Sequence, residues 1–180
     1  MDSSVLKFSD IVAARNTLRG IAKQTTILHS KSFSQMSDAN ILLKLENMQT
    51  TGAFKVRGAY NKLANLSAEE RAKGVVAASA GNHAQGVAFS ATKLGMQSTI
   101  FMPIFTPPLK VLATKGYGAN VVLAGDSFDD AAIASKEYIK EHKLKDKVTL
   151  HGFQGKEYID NILHDSSIYL MTSYTESFGI

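Results

Sequence analysis

The stretch Val75-Val-Ala-Ala-Ser79-Ala-Gly81-Asn82-His83-Ala-Gln85-Gly86 decides how the rest of the chain is read. Its first four residues are apolar and uncharged, the composition of a strand buried on both faces. From Ala84 the pattern turns helical, with Val87, Ala88 and Ala91 on the same side. Between the two lies a turn of small and polar residues. A strand that ends in such a turn and feeds a helix aims several unpaired backbone N–H groups at one point, which suits a carboxylate or a phosphate. An ordinary strand-to-helix turn has the same outline, and this stretch alone fits both.

The alternation continues downstream. Apolar runs at 75–78, 99–102, 121–124 and 148–150 are separated by helical patterns. In the second helix Thr106 is placed to cap, with Pro107 first and Leu109, Leu112 and Ala113 inward, and Gly116 and Gly118 stop it. In the third, Asp126 is the expected cap and Phe128, Ala131, Ala132, Ser135 and Ile139 the inner face. This predicts an α/β fold, a doubly wound parallel sheet of about four strands flanked by helices. Upstream, Ser9-Asp10 is expected to cap a helix with Ile11, Ala14, Leu18 and Ile21 as a core stripe. Residues 23–37 read as loop with short extended pieces, 40–45 as a strand and 46–52 as a polar loop. A helix follows from 53 to 66, then a capping box from Ser67 to Glu70.

Composition narrows the function. At 44% hydrophobic and 20% charged residues the chain belongs with soluble globular proteins, and a cytoplasmic location is expected. The formal net charge of +4 is spread along the chain without a basic stripe, so no nucleic-acid partner is expected. No apolar run is long enough to span a bilayer, and no membrane partner is expected. Cysteine is absent, which removes disulfides and thiolate catalysis. The histidines, His29, His83, His142, His151 and His164, lack the spacing of a zinc site, so no metal is expected.

Lys55 falls in a first helical turn, where the helix dipole disfavours a cation and favours the neutral, nucleophilic amine. A solvated surface lysine fits the same position. Asn82 reads as a pocket ligand or as a simple helix cap, and His83 as a base or as a structural histidine.

Taken together, two long motifs carry a resemblance. Lys44-Leu-Glu46-Asn47-Met-Gln49-Thr-Thr-Gly52-Ala-Phe54-Lys55-Val-Arg57-Gly58-Ala59, followed by Ala78-Ser79-Ala80-Gly81-Asn82-His83-Ala84-Gln85-Gly86, resembles the threonine dehydratase and serine racemase group. That group belongs to the tryptophan-synthase-β-like enzymes of fold type II, which use pyridoxal 5′-phosphate. The resemblance implies that Lys55 is the catalytic residue and holds the cofactor as a Schiff base. It implies that Phe54 packs beside the cofactor ring, and that Asn82 hydrogen-bonds the ring hydroxyl. Ser79, Ala80, Gly81, Asn82 and His83 would hold the substrate carboxylate. The implied reaction turns L-threonine or L-serine into a 2-oxo acid and ammonia. A serine racemase or another hydroxy-amino-acid lyase is the related alternative, and a non-catalytic binding module the unrelated one. The family analogy also makes a homo-oligomer possible.

By the same resemblance, residues 1–50 are expected to belong to the larger cofactor domain and 51–150 to the small α/β domain. Residues 151–180 read as a tail unlike the family. After Leu150 only Gly152, Gly155 and Gly179 occur, too scattered for the family's glycine-rich phosphate loop. The chain is therefore expected to be a C-terminally truncated member with weak activity by itself.

Overall fold

A computed structural model describes residues 6–142. In chain order the elements are α1 Phe8–Thr17, β1 Ile27–His29, α2 Lys31–Ser37, β2 Leu42–Lys44 and a 3-10 turn Glu46–Met48. There follow α3 Lys55–Ala64, α4 Ala68–Ala72, β3 Val75–Ala78, α5 Asn82–Lys93, β4 Ser98–Met102, α6 Pro108–Gly116, β5 Asn120–Leu123 and α7 Phe128–Glu141.

From Val75 onward the periodicity folds as an α/β unit. Strands β3, β4 and β5 form a parallel sheet in that order, with Val76 beside Thr99 and Phe101 beside Val122. Ile100 and Met102 of β4 are fully buried, packed with Ala84, Val87 and Ala88 of α5 and Val111 of α6. Phe101 points the other way, where its ring meets that of Tyr138 in α7 at 5.5 Å. Neighbouring residues of a strand face opposite sides. Helices α5 and α6 therefore cover one face of the sheet and α7 the other. Burying each large side chain such as Ile100 or Met102 contributes about 1.5–3 kcal/mol. A separate antiparallel pair joins β1 to β2, with Leu28 opposite Leu43.

Several details depart from the sequence reading. Strand β3 is half-buried rather than buried on both faces, because it pairs only with β4 among the described residues; the driest strand is β4. Three parallel strands lie in the described residues, and the expected fourth at 148–150, like the tail, falls outside them. Helix α1 buries no residue, and Ile11 is 51% exposed. Its apolar stripe of Ile11, Ala14 and Leu18 walls a cavity instead of a core.

Residues 23–37 hold more than loop. Ser30 caps α2 by accepting from the Phe33 N–H at 3.3 Å, and Asp38 ends it in the left-handed region at φ 49°. Helix α6 begins at Pro108 behind Pro107, so Thr106 is not its cap. Thr114 and Val111 face inward, while Leu109 and Leu112 are 79% and 65% exposed. In α7 the cap is Ser127 rather than Asp126: its hydroxyl accepts from Asp130 N–H and the Asp130 carboxylate accepts from Ser127 N–H. Phe128 lies outside, whereas Ala131, Ser135 and Ile139 are buried as expected. The capping box of Ser67 and Glu70 forms as read.

Candidate active site

Lys55 opens α3 directly after Phe54. The inner face of this helix is Val56, Ala59 and Leu63, all buried, with Ala59 and Leu63 packed against α5 and the sheet. That choice of face turns Lys55 away from the core and onto the wall of a cavity of about 1090 Å³. Phe54, Glu46, Arg57 and His83 line the same cavity, opposite the stripe of α1. The Lys55 Nζ lies 5.0 Å from the centre of the Phe54 ring.

The second motif forms the turn between β3 and α5. The Ser79 N–H donates to the Phe101 carbonyl at 3.0 Å, so the sheet runs up to the turn. The Ser79 hydroxyl then accepts from the N–H of Ala84 at 3.2 Å and of Gly81 at 3.4 Å. Gly81 occupies the cap position and Asn82 is the first helical residue, so Ser79 supplies the capping oxygen that Asn82 was one candidate to provide. Ala84, Val87, Ala88 and Ala91 fix α5 beneath the sheet, leaving Asn82 and His83 at its open end. Much of His83 is open to solvent, yet crowding around its ring pushes its pKa below 6.5, and the charge of Lys55 pushes it the same way. A neutral imidazole beside an amine is able to accept a proton.

Gly86 joins the two motifs. A Cβ at this position would sit 3.2 Å from the Lys55 carbonyl carbon and oxygen and 3.3 Å from the Val56 nitrogen. Helix α5 therefore meets the start of α3 backbone to backbone, an approach that glycine allows without any shift of the Lys55 backbone. Of the residues expected at the site, Phe54, Lys55 and His83 share the cavity. Ser79, Ala80, Gly81 and Asn82 form the adjoining turn and do not line it.

One group was missed as part of the site. Glu46 accepts from Arg57 Nε at 2.7 Å and Nη2 at 2.9 Å, from the Thr25 hydroxyl at 2.6 Å, and from Gln49. Desolvation opposes its charge, but the hydrogen bonds from Arg57, Thr25 and Gln49 outweigh it and hold its pKa at about 2. Its partner Arg57 is held above the ordinary value by the hydrogen bond to Glu46. Glu46, Gln49 and Arg57 all stand in the first motif, but their meeting across a turn has no periodic signature in sequence.

This carboxylate makes a pH prediction. Unfolded, Glu46 takes up a proton near its ordinary 4.5; folded, it resists until about 2. Between those values the unfolded chain binds more protons, so the stability Glu46 contributes is present above 4.5 and is lost as pH falls through the window. Its side chain is 17% exposed, and after screening the loss is ~1–2 kcal/mol. Glu46→Gln is expected to flatten the fall in urea midpoint between pH 4.5 and the lowest accessible pH. A parallel fall in both proteins would count against it.

Among the described residues no helix is long and apolar enough to cross a membrane. Residues 18–164 match the family described as pyridoxal-phosphate dependent enzyme. The chain is 49% identical over 127 residues to an L-threonine ammonia-lyase of Thermotoga maritima, covering 71% of this chain and 32% of that protein. It resembles the processed form of threonine deaminase isoform 2 from Solanum lycopersicum at TM-score 0.68 and 34% identity, over 80% of this chain and 41% of that one. It also resembles maize serine racemase at TM-score 0.72 and 31% identity, over 85% and 46%. The chain spans between 32% and 50% of the length of three curated relatives it matches. With the lysine and asparagine motifs meeting on one α/β unit, the chain belongs to the pyridoxal-phosphate dependent enzyme family.

Proposed function

We propose that this chain carries the lysine side of a site that eliminates ammonia from L-threonine or L-serine. The observation that supports this best is the backbone contact of Gly86 with Lys55, which sets the amine, Phe54 and His83 around one cavity. The residues present fit pyridoxal phosphate in chemical kind: an amine for its aldehyde, an aromatic neighbour for its ring, and Asn82 as partner for its ring hydroxyl. Among the described residues no glycine cluster offers the consecutive N–H groups a phosphate cradle needs. Bound there, the cofactor supplies the electron sink that lets a proton leave the substrate Cα.

The chain's own residues have separable tasks in this reading. The turn from Ser79 to His83 orients the substrate carboxylate with backbone N–H groups at the start of α5. Lys55 Nζ takes the Cα proton, and the β-hydroxyl leaves as water. His83, neutral near pH 7, is placed to relay a proton at the cavity wall. Water then hydrolyses the enamine left by this loss, giving a 2-oxo acid and ammonia. Likeness to maize serine racemase favours racemisation as the second reading. The test is borohydride reduction of the chain with pyridoxal phosphate, followed by peptide mapping and product analysis with L-threonine, L-serine and D-serine. Label at Lys55 with 2-oxo acid formation supports the elimination reading. Label elsewhere, or none, would sink it, and interconverted serine enantiomers would select the racemase.

A further inference from the structure

We infer that the Arg57–Glu46 pair is a positioning unit for Lys55, fixing the first turn of α3 against the turn that precedes it. The inference deepens the reading of Lys55 as the reactive amine and rests on it. Arg57 stands two residues after Lys55, and its guanidinium grips both oxygens of Glu46 at 2.7 and 2.9 Å. Its Nη2 also reaches the Lys23 carbonyl at 3.4 Å. Gln49, only 4% exposed, clamps Lys23 from both sides, accepting its N–H at 3.0 Å and donating to its carbonyl at 2.9 Å. From the sheet side, the Tyr117 hydroxyl donates to the Thr50 carbonyl at 2.8 Å.

The segment leading into Lys55 is thus anchored to the chain after α1, to α3 itself, and to the turn after α6. A two-pronged guanidinium–carboxylate contact sets direction as well as distance. The pair Lys73–Glu69 offers a contrast: Glu69 is 83% exposed, and such a contact fixes little. Lysine has a long, flexible side chain, so the placement of its backbone decides where Nζ can act. A displacement of about 1 Å at a reacting group costs on the order of 10²-fold.

Two variants of the full chain test this. Arg57→Lys keeps the charge but loses the two-pronged grip, and Glu46→Gln removes the acceptor charge. Each is labelled with trace acetic anhydride without cofactor, and acetylation of Lys55 is read by peptide mass spectrometry relative to exposed Lys62 on the same helix. The ratio is expected to rise about fivefold as Lys55 is released, the equivalent of ~1 kcal/mol or one net hydrogen bond. Capture of pyridoxal phosphate at Lys55 is expected to fall by roughly tenfold or more, a larger loss than the few degrees of melting temperature that breaking the pair removes. Lys73→Ala, which breaks the surface pair, should leave both readings alone. An unchanged ratio in a folded Arg57→Lys protein overturns the inference, as does an equal change in Lys73→Ala. Should Glu46→Gln not fold, Arg57→Lys decides alone. A wild-type chain that does not take the cofactor would remove the reading of the site, whereas the labelling ratio tests positioning without any cofactor.

Discussion

Lys55→Ala is expected to abolish capture of pyridoxal phosphate and to lower ammonia release from L-threonine by roughly 10³-fold or more. Lys23 and Lys44 also line the cavity, so the variant tests whether a neighbouring amine can substitute. The neighbouring cations Lys44 and Arg57 are already engaged, with the Thr25 carbonyl and with Glu46. The loss should be chemical rather than structural. Lys55 stands at the start of α3, off its buried face, where alanine is a favourable helix former. The cofactor-free melting temperature of the variant should match the wild type. Added pyridoxal phosphate should raise the wild-type value and leave the variant unmoved, since only a ligand that binds the folded state shifts it. Borohydride label retained in the variant would place the amine elsewhere.

Gly86→Ala is expected to have the second largest effect, and by a different route. The new methyl would stand 3.2 Å from the Lys55 carbonyl group, and the atoms it meets belong to a backbone. Neither helix yields easily, because α5 is pinned by Ala84, Val87 and Ala88 and α3 by Val56 and Ala59. Overpacking of this kind costs about 1–3 kcal/mol. It also shifts Lys55, the proposed reactive amine, and a further loss on the order of 10²-fold in cofactor capture is expected. Gly58→Ala on α3 is the matched comparison. Its Cβ meets nothing within 4 Å, so the variant should be more stable by about 0.5–1 kcal/mol. If both glycine variants melted alike, close approach of α3 and α5 would not be the reason for Gly86.

What could be read from sequence follows from how local each signal is. The β3-to-β5 unit was legible because strand runs and helical spacing are local, and Ala84, Val87, Ala88 and Ala91 did go inward as their spacing required. Register at helix starts was less legible. Thr106, Pro107 and Pro108 each suit an N-terminus, and the larger apolar residues Leu109 and Leu112 suggest an inner face that Val111 and Thr114 in fact form. Helix α2 was missed because it buries nothing and carries no apolar period. The motifs named Lys55 and Asn82, but the polar network around Glu46 needed the fold. Thr25 lies outside the first motif, and Arg57 reaches the Glu46 carboxylate from α3, so only the turn after β2 brings them together with Gln49.

The hydroxyl of Ser79 gives the turn before α5 a built-in competitor. It already accepts from the N–H groups of Gly81 and Ala84, at 3.4 and 3.2 Å. At these two N–H groups a carboxylate would exchange one acceptor for another. Its net advantage is the margin between a charged and a neutral acceptor, about 1 kcal/mol per bond. The incumbent bonds are long, so under the proposed reading the margin would favour the carboxylate.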